Sequence, residues 1–439
     1  MPASRSFGLA GLVLLALLTL AGCADTPSLT IATVNNADMI IMQRLSPAFE
    51  EATGIRINWV VLEENILRQR VTTDIATGGG QFDIVTIGSY ETPLWARQGW
   101  LTPLNDLGES YAYEDLLPSV RQSLSLGDSL FAVPFYAESS FTYYRTDLFA
   151  QAGIAMPDAP TYEQIASYAQ RLHDPANSQY GICLRGKPGW GENMAYFNTV
   201  LNTFGGRWFD MNWMPQLTSP EWHTALQFYV DLLTRYGPPG AASNGHNENR
   251  ALFASGNCAM WIDATAAAGH LYNPSDSKVY DKIGFTRAPV AVTENGSSWV
   301  WVWALAIPAT SRHADAARQF VAWATSAAYI RMVGEKEGWT VAPPGTRRST
   351  YANPDYRAAA PFASFTEAAI LSVDPAHPTR DPVPYTGIQY VAIPEFQGLG
   401  TEIGQIVAGA LAGRQSVDEA LERAQAVAVR TMQDAGYLR

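Results

Sequence analysis

The side chains best equipped for chemistry in this sequence are aromatic rings set beside carboxylates and amides. The chain holds 13 Trp and 20 Tyr. Tyr90 adjoins Glu91, Tyr136 lies near Glu138, Trp190 near Asn193, and Trp261 near Asp263. Neutral polyhydroxyl molecules need this mixture. Their C–H faces pack on aromatic rings. Each hydroxyl wants a donor and an acceptor, and carboxylates and amides supply strong, directional partners. The plainer reading makes each ring a core residue, and for a single Trp that reading comes first.

Other strings resemble catalytic motifs without their context. Gly127-Asp128-Ser129-Leu130 spells an esterase motif, but it sits between Leu126 and Phe131, where a Gly-Asp turn joining two strands is simpler, and no His and Asp arrangement nearby completes a triad. Gly78-Gly79-Gly80 lacks the Lys-Ser/Thr of a phosphate loop and reads as a helix stop. The six His residues are scattered without helical ligand spacing, which argues against a zinc site; neither a metal nor a cofactor is expected.

The elements that must position these residues alternate. Leu29–Val34, Ile55–Val61 and Asp83–Ile87 read as strands. Asp38–Glu51, with Pro47 opening its last turns or kinking it, and Asn65–Ala76 read as helices. This rhythm predicts an α/β chain with a parallel sheet and crossover helices. Ligands of such sheets sit beyond the carboxyl ends of the strands. That rule gathers Asn35, Asn36, Asp38, Glu63, Glu64, Ser89, Tyr90 and Glu91 on one rim. Further strands are expected at Leu130–Pro134, Phe141–Arg145, Ala259–Ile262 and Val300–Ile307; the renewed strand–helix series suggests two α/β lobes, with the last strand crossing back to the first. Helices are expected near Tyr162–Leu172, Glu192–Thr203, Pro220–Tyr236, Glu248–Phe253, His313–Ala324 and Leu399–Leu411. Ser416 and Glu419 form a capping box for a final helix. Pro343–Pro394 is rich in Pro and shows no clear period.

The ends and the charge set the compartment. Behind Arg5 runs a short apolar stretch, Leu9–Leu20, that fits a signal-peptide core and is too short for a comfortable membrane span. Leu20-Ala21-Gly22-Cys23 resembles the lipobox of bacterial lipoproteins. That resemblance implies a signal peptide over 1–22, a lipid on Cys23 and a body held at the periplasmic or extracellular face of a membrane. The formal charge of −12 argues against nucleic acid, which calls for clustered Lys and Arg. Of the three cysteines, Cys183 and Cys258 remain once Cys23 is set aside. They form either a disulfide between neighbouring strands or two buried thiols.

At family level, Thr53-Gly54-Ile55, Phe82-Asp83-Ile84, Ala132-Val133-Pro134-Phe135, Thr161-Tyr162-Glu163-Gln164-Ile165, Ala259-Met260-Trp261 and Trp303-Ala304-Leu305-Ala306-Ile307-Pro308 resemble the carbohydrate-binding proteins of bacterial ABC importers. Gly181–Lys187, Trp190–Met194, Trp261–Thr265 and Gly387–Tyr390 resemble the polyol branch of that family, which serves sorbitol and mannitol importers. The resemblance implies a two-lobed periplasmic-binding-protein fold, similar to maltose-binding protein, with three interlobe crossings. Lobe one would hold 28–137 plus 304–340, and lobe two 142–298 plus 343–439. A monomer, an importer permease as partner and no enzymatic activity are implied with it. So are the residues facing the cleft: Asn35, Asn36, Tyr90, Glu91, Glu138, Trp190, Asn193 and Asp263, then Trp299 or Trp301, with Arg380 and Gln389 from the late segment. The competing reading is a secreted glycoside hydrolase, which needs two carboxylates about 5–10 Å apart around a scissile bond.

Overall fold

A computed structural model describes residues 27–438. Arg5, the apolar stretch and Cys23 lie outside the described residues. The strands are β1 (Ser28–Val34), β2 (Arg56–Leu62), β3 (Ile84–Gly88), β4 (Ser125–Leu126), β5 (Ser129–Leu130), β6 (Val133–Glu138), β7 (Ser140–Arg145), β8 (Met260–Ala264), β9 (Ile283–Arg287) and β10 (Trp301–Ala306).

The first lobe is built on a five-stranded sheet of order β2-β1-β3-β10-β6. Its start follows the sequence rhythm. β1 is rich in β-branched residues and pairs in parallel with β2 and β3. The helix between β1 and β2 breaks at Ser46, and Pro47 opens a second short helix, where its missing N–H costs nothing. Helix Glu64–Ala76 is capped by the Glu63 carboxylate, which accepts the Asn65 and Ile66 amides. The all-parallel expectation fails at β10, which runs antiparallel to both β3 and β6. β10 enters from the second lobe, so no local crossover helix fixes its direction. Gly127 and Asp128 form the turn between β4 and β5, as the turn reading of that string expects.

The second lobe carries a three-stranded antiparallel sheet of order β8-β7-β9. The segment around Tyr180–Cys183 bridges in parallel to Cys258 and Trp261. Across it Cys183 and Cys258 form a disulfide, with Cα atoms 5.9 Å apart.

Three passages link the lobes. Ser139 alone separates β6 from β7. The segment from β9 to β10 is the second. The third follows helix Ala327–Glu337 and runs past Ala137, whose amide donates to the Pro344 carbonyl at 3.0 Å. Beyond it the chain forms helices Arg348–Ala352, Pro354–Ala359 and Ala363–Leu371, where the sequence showed no period. Phe365 packs on Phe141 and Phe285 of the second sheet at 5.2 and 5.6 Å. These short helices are held by tertiary contacts rather than by an amphipathic repeat. The closing helix, Val417–Asp434, opens on the expected capping box.

Candidate functional site

Arg68 marks the centre of the interlobe space. It projects from the second turn of helix Glu64–Ala76 and is nearly fully buried. Its guanidinium donates to Glu64 Oε1 at 2.9 and 3.1 Å and to Glu91. Glu91 is fixed in turn by the Gly88 amide at 2.9 Å. Three indole rings surround the cation: Trp190 at 4.1 Å, Trp303 at 5.0 Å and Trp301 at 5.1 Å. Trp190 comes from the second lobe, so a cation–π contact spans the cleft. Burial opposes the charge of Arg68, but Glu91 and then Glu64 outweigh it and raise its pKa. Gly88 is required here, because a Cβ on it would collide with the Trp301 ring.

A second buried cation, Arg185, faces Arg68 from the other lobe. It donates to both oxygens of Asp263, at 2.6 and 2.9 Å, and to the Gly191 carbonyl at 2.8 Å. His246 Nδ1 lies 2.9 Å from Asp263 Oδ1, and the Ala264 amide donates to the same oxygen at 2.7 Å. Burial works against the Asp263 charge, yet Arg185 and then His246 hold the carboxyl well below the usual range. Asp263 is therefore saturated and orients the two side chains that face the cavity.

Glu138 has the opposite environment. It ends β6, opposite Trp301, and is buried. Among the described residues no side chain or amide bonds its carboxyl. Burial pushes its pKa well up; Arg185 opposes this, while Asp263, Glu64 and Asp38 add to it. A buried carboxyl without a protein partner is costly unless something else bonds it.

Glu138, Asn36, Gln389, Trp190, Trp301 and Arg185 line one cavity of about 30 Å³ between the lobes.

Five of the residues expected to face the cleft line this cavity: Asn36, Glu138, Trp190, Trp301 and Gln389. Asn36 also donates to the Tyr136 hydroxyl at 2.8 Å. The others sit elsewhere. Asn35 is exposed at the rim, where its carbonyl accepts from Asn247 at 3.3 Å. Glu91 stands behind Arg68. Tyr90 packs on Trp190 at 4.9 Å, and its hydroxyl donates to the Ile393 carbonyl at 2.9 Å. Asn193 is a loop clasp, accepting the Gly189 amide at 3.2 Å and donating to the Gly404 carbonyl at 2.8 Å. Trp299 is buried away from the cavity. Arg380, expected in the cleft, is instead half exposed and paired with Asp381 at 3.2 Å and Glu221 at 3.8 Å. Its acidic neighbours hold it at the surface.

Sequence reasoning passed over Arg68, Arg185, His246 and Trp303. The Glu64–Arg68 spacing is a legible i,i+4 pair, but such pairs are usually solvent-exposed. Arg185 stood inside a quoted string and carried no local mark of its role.

The lobes meet along a tight seam beside the cavity. Lys187 pairs with Glu63 at 2.7 Å, and Asn65 donates to the Pro188 carbonyl at 3.2 Å. A Cβ at Gly191 would collide with Glu64 Oε1, so a larger residue here must displace that carboxylate from Arg68. Glu192, just behind the seam, has its pKa pushed up to about 7, by burial first and the Glu64 carboxylate second.

Two lobes, three linking passages and a polar, aromatic-walled cavity between them define a binding-protein architecture. The chain belongs to the bacterial extracellular solute-binding protein family, whose model matches residues 35–330. It is 58% identical over 424 residues to the mannitol-binding protein of Pseudomonas aeruginosa, covering 96% of this chain and 97% of that one. A crystal structure of an ABC transporter solute-binding protein from Agrobacterium vitis with bound D-mannitol superposes with a TM-score of 0.93 at 56% identity, covering 94% of this chain and all of the other. A solute-binding protein from Agrobacterium radiobacter in complex with ribitol gives 0.81 at 27% identity, covering 92% and 99%. The two-lobed fold is shared with maltose-bound MalE3 of Thermotoga maritima, at a TM-score of 0.77 and 18% identity. Family membership implies a binding role rather than catalysis.

Proposed function

We propose that this chain is the capture component of an ABC importer for a linear hexitol, with D-mannitol the first candidate. The observation that carries this reading is Glu138, a buried carboxyl with no protein partner, set between indole rings and the Gln389 and Asn36 amides. Polyol hydroxyls supply the missing bonds, and the C–H face of the carbon chain packs on Trp190 or Trp301. Two or three hydrogen bonds to charged or ionisable groups, at roughly 1.5–3 kcal/mol each, approach the ~8 kcal/mol of micromolar binding before ordering costs. The mannitol-bound and mannitol-binding relatives, each more than half identical, support the same solute.

The lobes would comprise 28–137 plus 304–340 and 142–298 plus 343–439, closing as a monomer over the solute and presenting it to a permease. Cys23 would carry a lipid after removal of 1–22, tethering the protein at the membrane. Mass spectrometry of the membrane-fraction protein tests the anchor: a diacylated N-terminal Cys23 is expected, and an unlipidated N-terminus contradicts it.

No observation favours the hydrolase reading. Glu64, the other carboxylate beside Glu138 in the cavity, is engaged by Arg68. A thermal-shift screen of polyols and sugars, run beside turnover assays with chromogenic glycosides, separates the readings. Stabilisation by hexitols without turnover is expected. Glycoside turnover, or stabilisation only by charged solutes, would overturn the proposal.

A further inference from the structure

A second chamber, of about 20 Å³, adjoins the main cavity and shares Asn36, Tyr136, Glu138 and His246 with it. Its far wall carries Asp38, His270 and Arg250. Asp38 lies in the first turn of helix Ala37–Leu45, on the first lobe, and is only 8% exposed. Its carboxyl has no hydrogen-bond partner from another residue among the described residues. His270 comes from the second lobe and is equally buried. Its Nδ1 lies 2.9 Å from Asp276 Oδ2, while its Nε2 is buried without a partner.

The chamber thus presents three polar groups without a hydrogen-bond partner from another residue among those described: Asp38, Glu138 and His270 Nε2. Native interiors rarely leave such groups unpaired. Burial raises the pKa of Asp38 as it does that of Glu138, with His270 and Arg250 opposing it. A carboxyl driven toward its neutral form can donate as well as accept, which matches a hydroxyl's two needs. The two chambers share Glu138, with Trp190 and Trp301 lining only the first and Asp38 and His270 only the second. An open-chain polyol, with a hydroxyl on every carbon including both ends, can offer one terminal hydroxyl to each.

We infer that the ligand spans both chambers, one end under Trp190 and Trp301 and its terminal hydroxyl between Asp38 and His270, so that these two residues read chain length. This rests on the polyol reading above. The test measures D-mannitol (six carbons) and erythritol (four carbons) on the mature protein and on Asp38→Ala and His270→Ala, by calorimetry with competition for weak binding. Each variant is expected to lose at least tenfold in mannitol affinity and less than threefold in erythritol affinity. Equal losses for both polyols, or no loss for mannitol, would overturn the inference. A crystal structure of the wild-type mannitol complex decides independently of the variants. A terminal hydroxyl within hydrogen-bond reach of Asp38 and His270 supports the assignment, and a ligand confined to the Trp190 side overturns it. Wild-type protein that binds no polyol at all removes the polyol reading, and this inference with it.

Discussion

Glu138 and Asp263 are both buried carboxyls of the interlobe region, yet their surroundings assign them opposite parts. Asp263 is saturated by Arg185, His246 and an amide, whereas Glu138 waits for donors. Removing Glu138 deletes no protein–protein bond, so Glu138→Ala should weaken mannitol binding at least 100-fold, about the loss of one or two strong bonds, while the unliganded melting temperature holds or rises. Calorimetry and thermal melts check this; unchanged affinity refutes the assignment. Trp190→Ala removes the ring that caps Arg68 and lines the cavity, and should weaken binding at least tenfold in the same assay. Glu192 gives a pH signature. Its folded pKa of about 7 lies above the ordinary 4.5, so the folded state holds the proton more tightly. Its contribution is full below pH 4.5 and is lost as pH rises to about 7, on the order of 3 kcal/mol by linkage. Lys187 and Arg185 oppose this shift and Glu64 adds to it. Denaturant unfolding should show wild type losing more stability between pH 5 and 8 than Glu192→Gln; equal losses contradict it. Trp190 and Glu138 were each legible in the sequence, the one as a ring near the Asn193 amide and the other as a carboxylate near Tyr136. Arg68 was not, because burial of an i,i+4 ion pair depends on indoles far away in the chain.

At the scale of elements, the site exists because helix Glu64–Ala76 and the loop 187–191 can touch. Gly191→Ala should prop this seam open and reduce mannitol affinity at least tenfold with the fold intact. Small-angle scattering with saturating mannitol should then report a more open particle than wild type; identical profiles and affinity would show that the seam yields. The disulfide ties the strand-like segment at Cys183 to Cys258, 75 residues on. Replacing both cysteines by serine should lower stability by about 2–4 kcal/mol, read from denaturant midpoints, with mannitol affinity little changed. Parallel β1, β2 and β3 and their helices were readable because periodicity and punctuation coincide there. The antiparallel entry of β10 was not, since strand direction is set by a crossing from the other lobe. Helices within 348–371 were hidden because their few turns carry no full amphipathic repeat.

For the molecule as a whole, two sheets joined by three passages place a polar, aromatic-walled cavity where motion of one lobe against the other can enclose a solute. The two-lobed plan was legible through the order of family-like strings along the chain. The identity of the cavity's polar groups was less so, because it depends on which carboxyls find partners after folding. The decisive measurement is titration of D-mannitol into the mature protein in a calorimeter, with Glu138→Ala run alongside. The wild type should show one site of micromolar or tighter affinity, and the variant should bind at least 100-fold more weakly. A flat wild-type titration, or a variant that binds as tightly as the wild type, would contradict it.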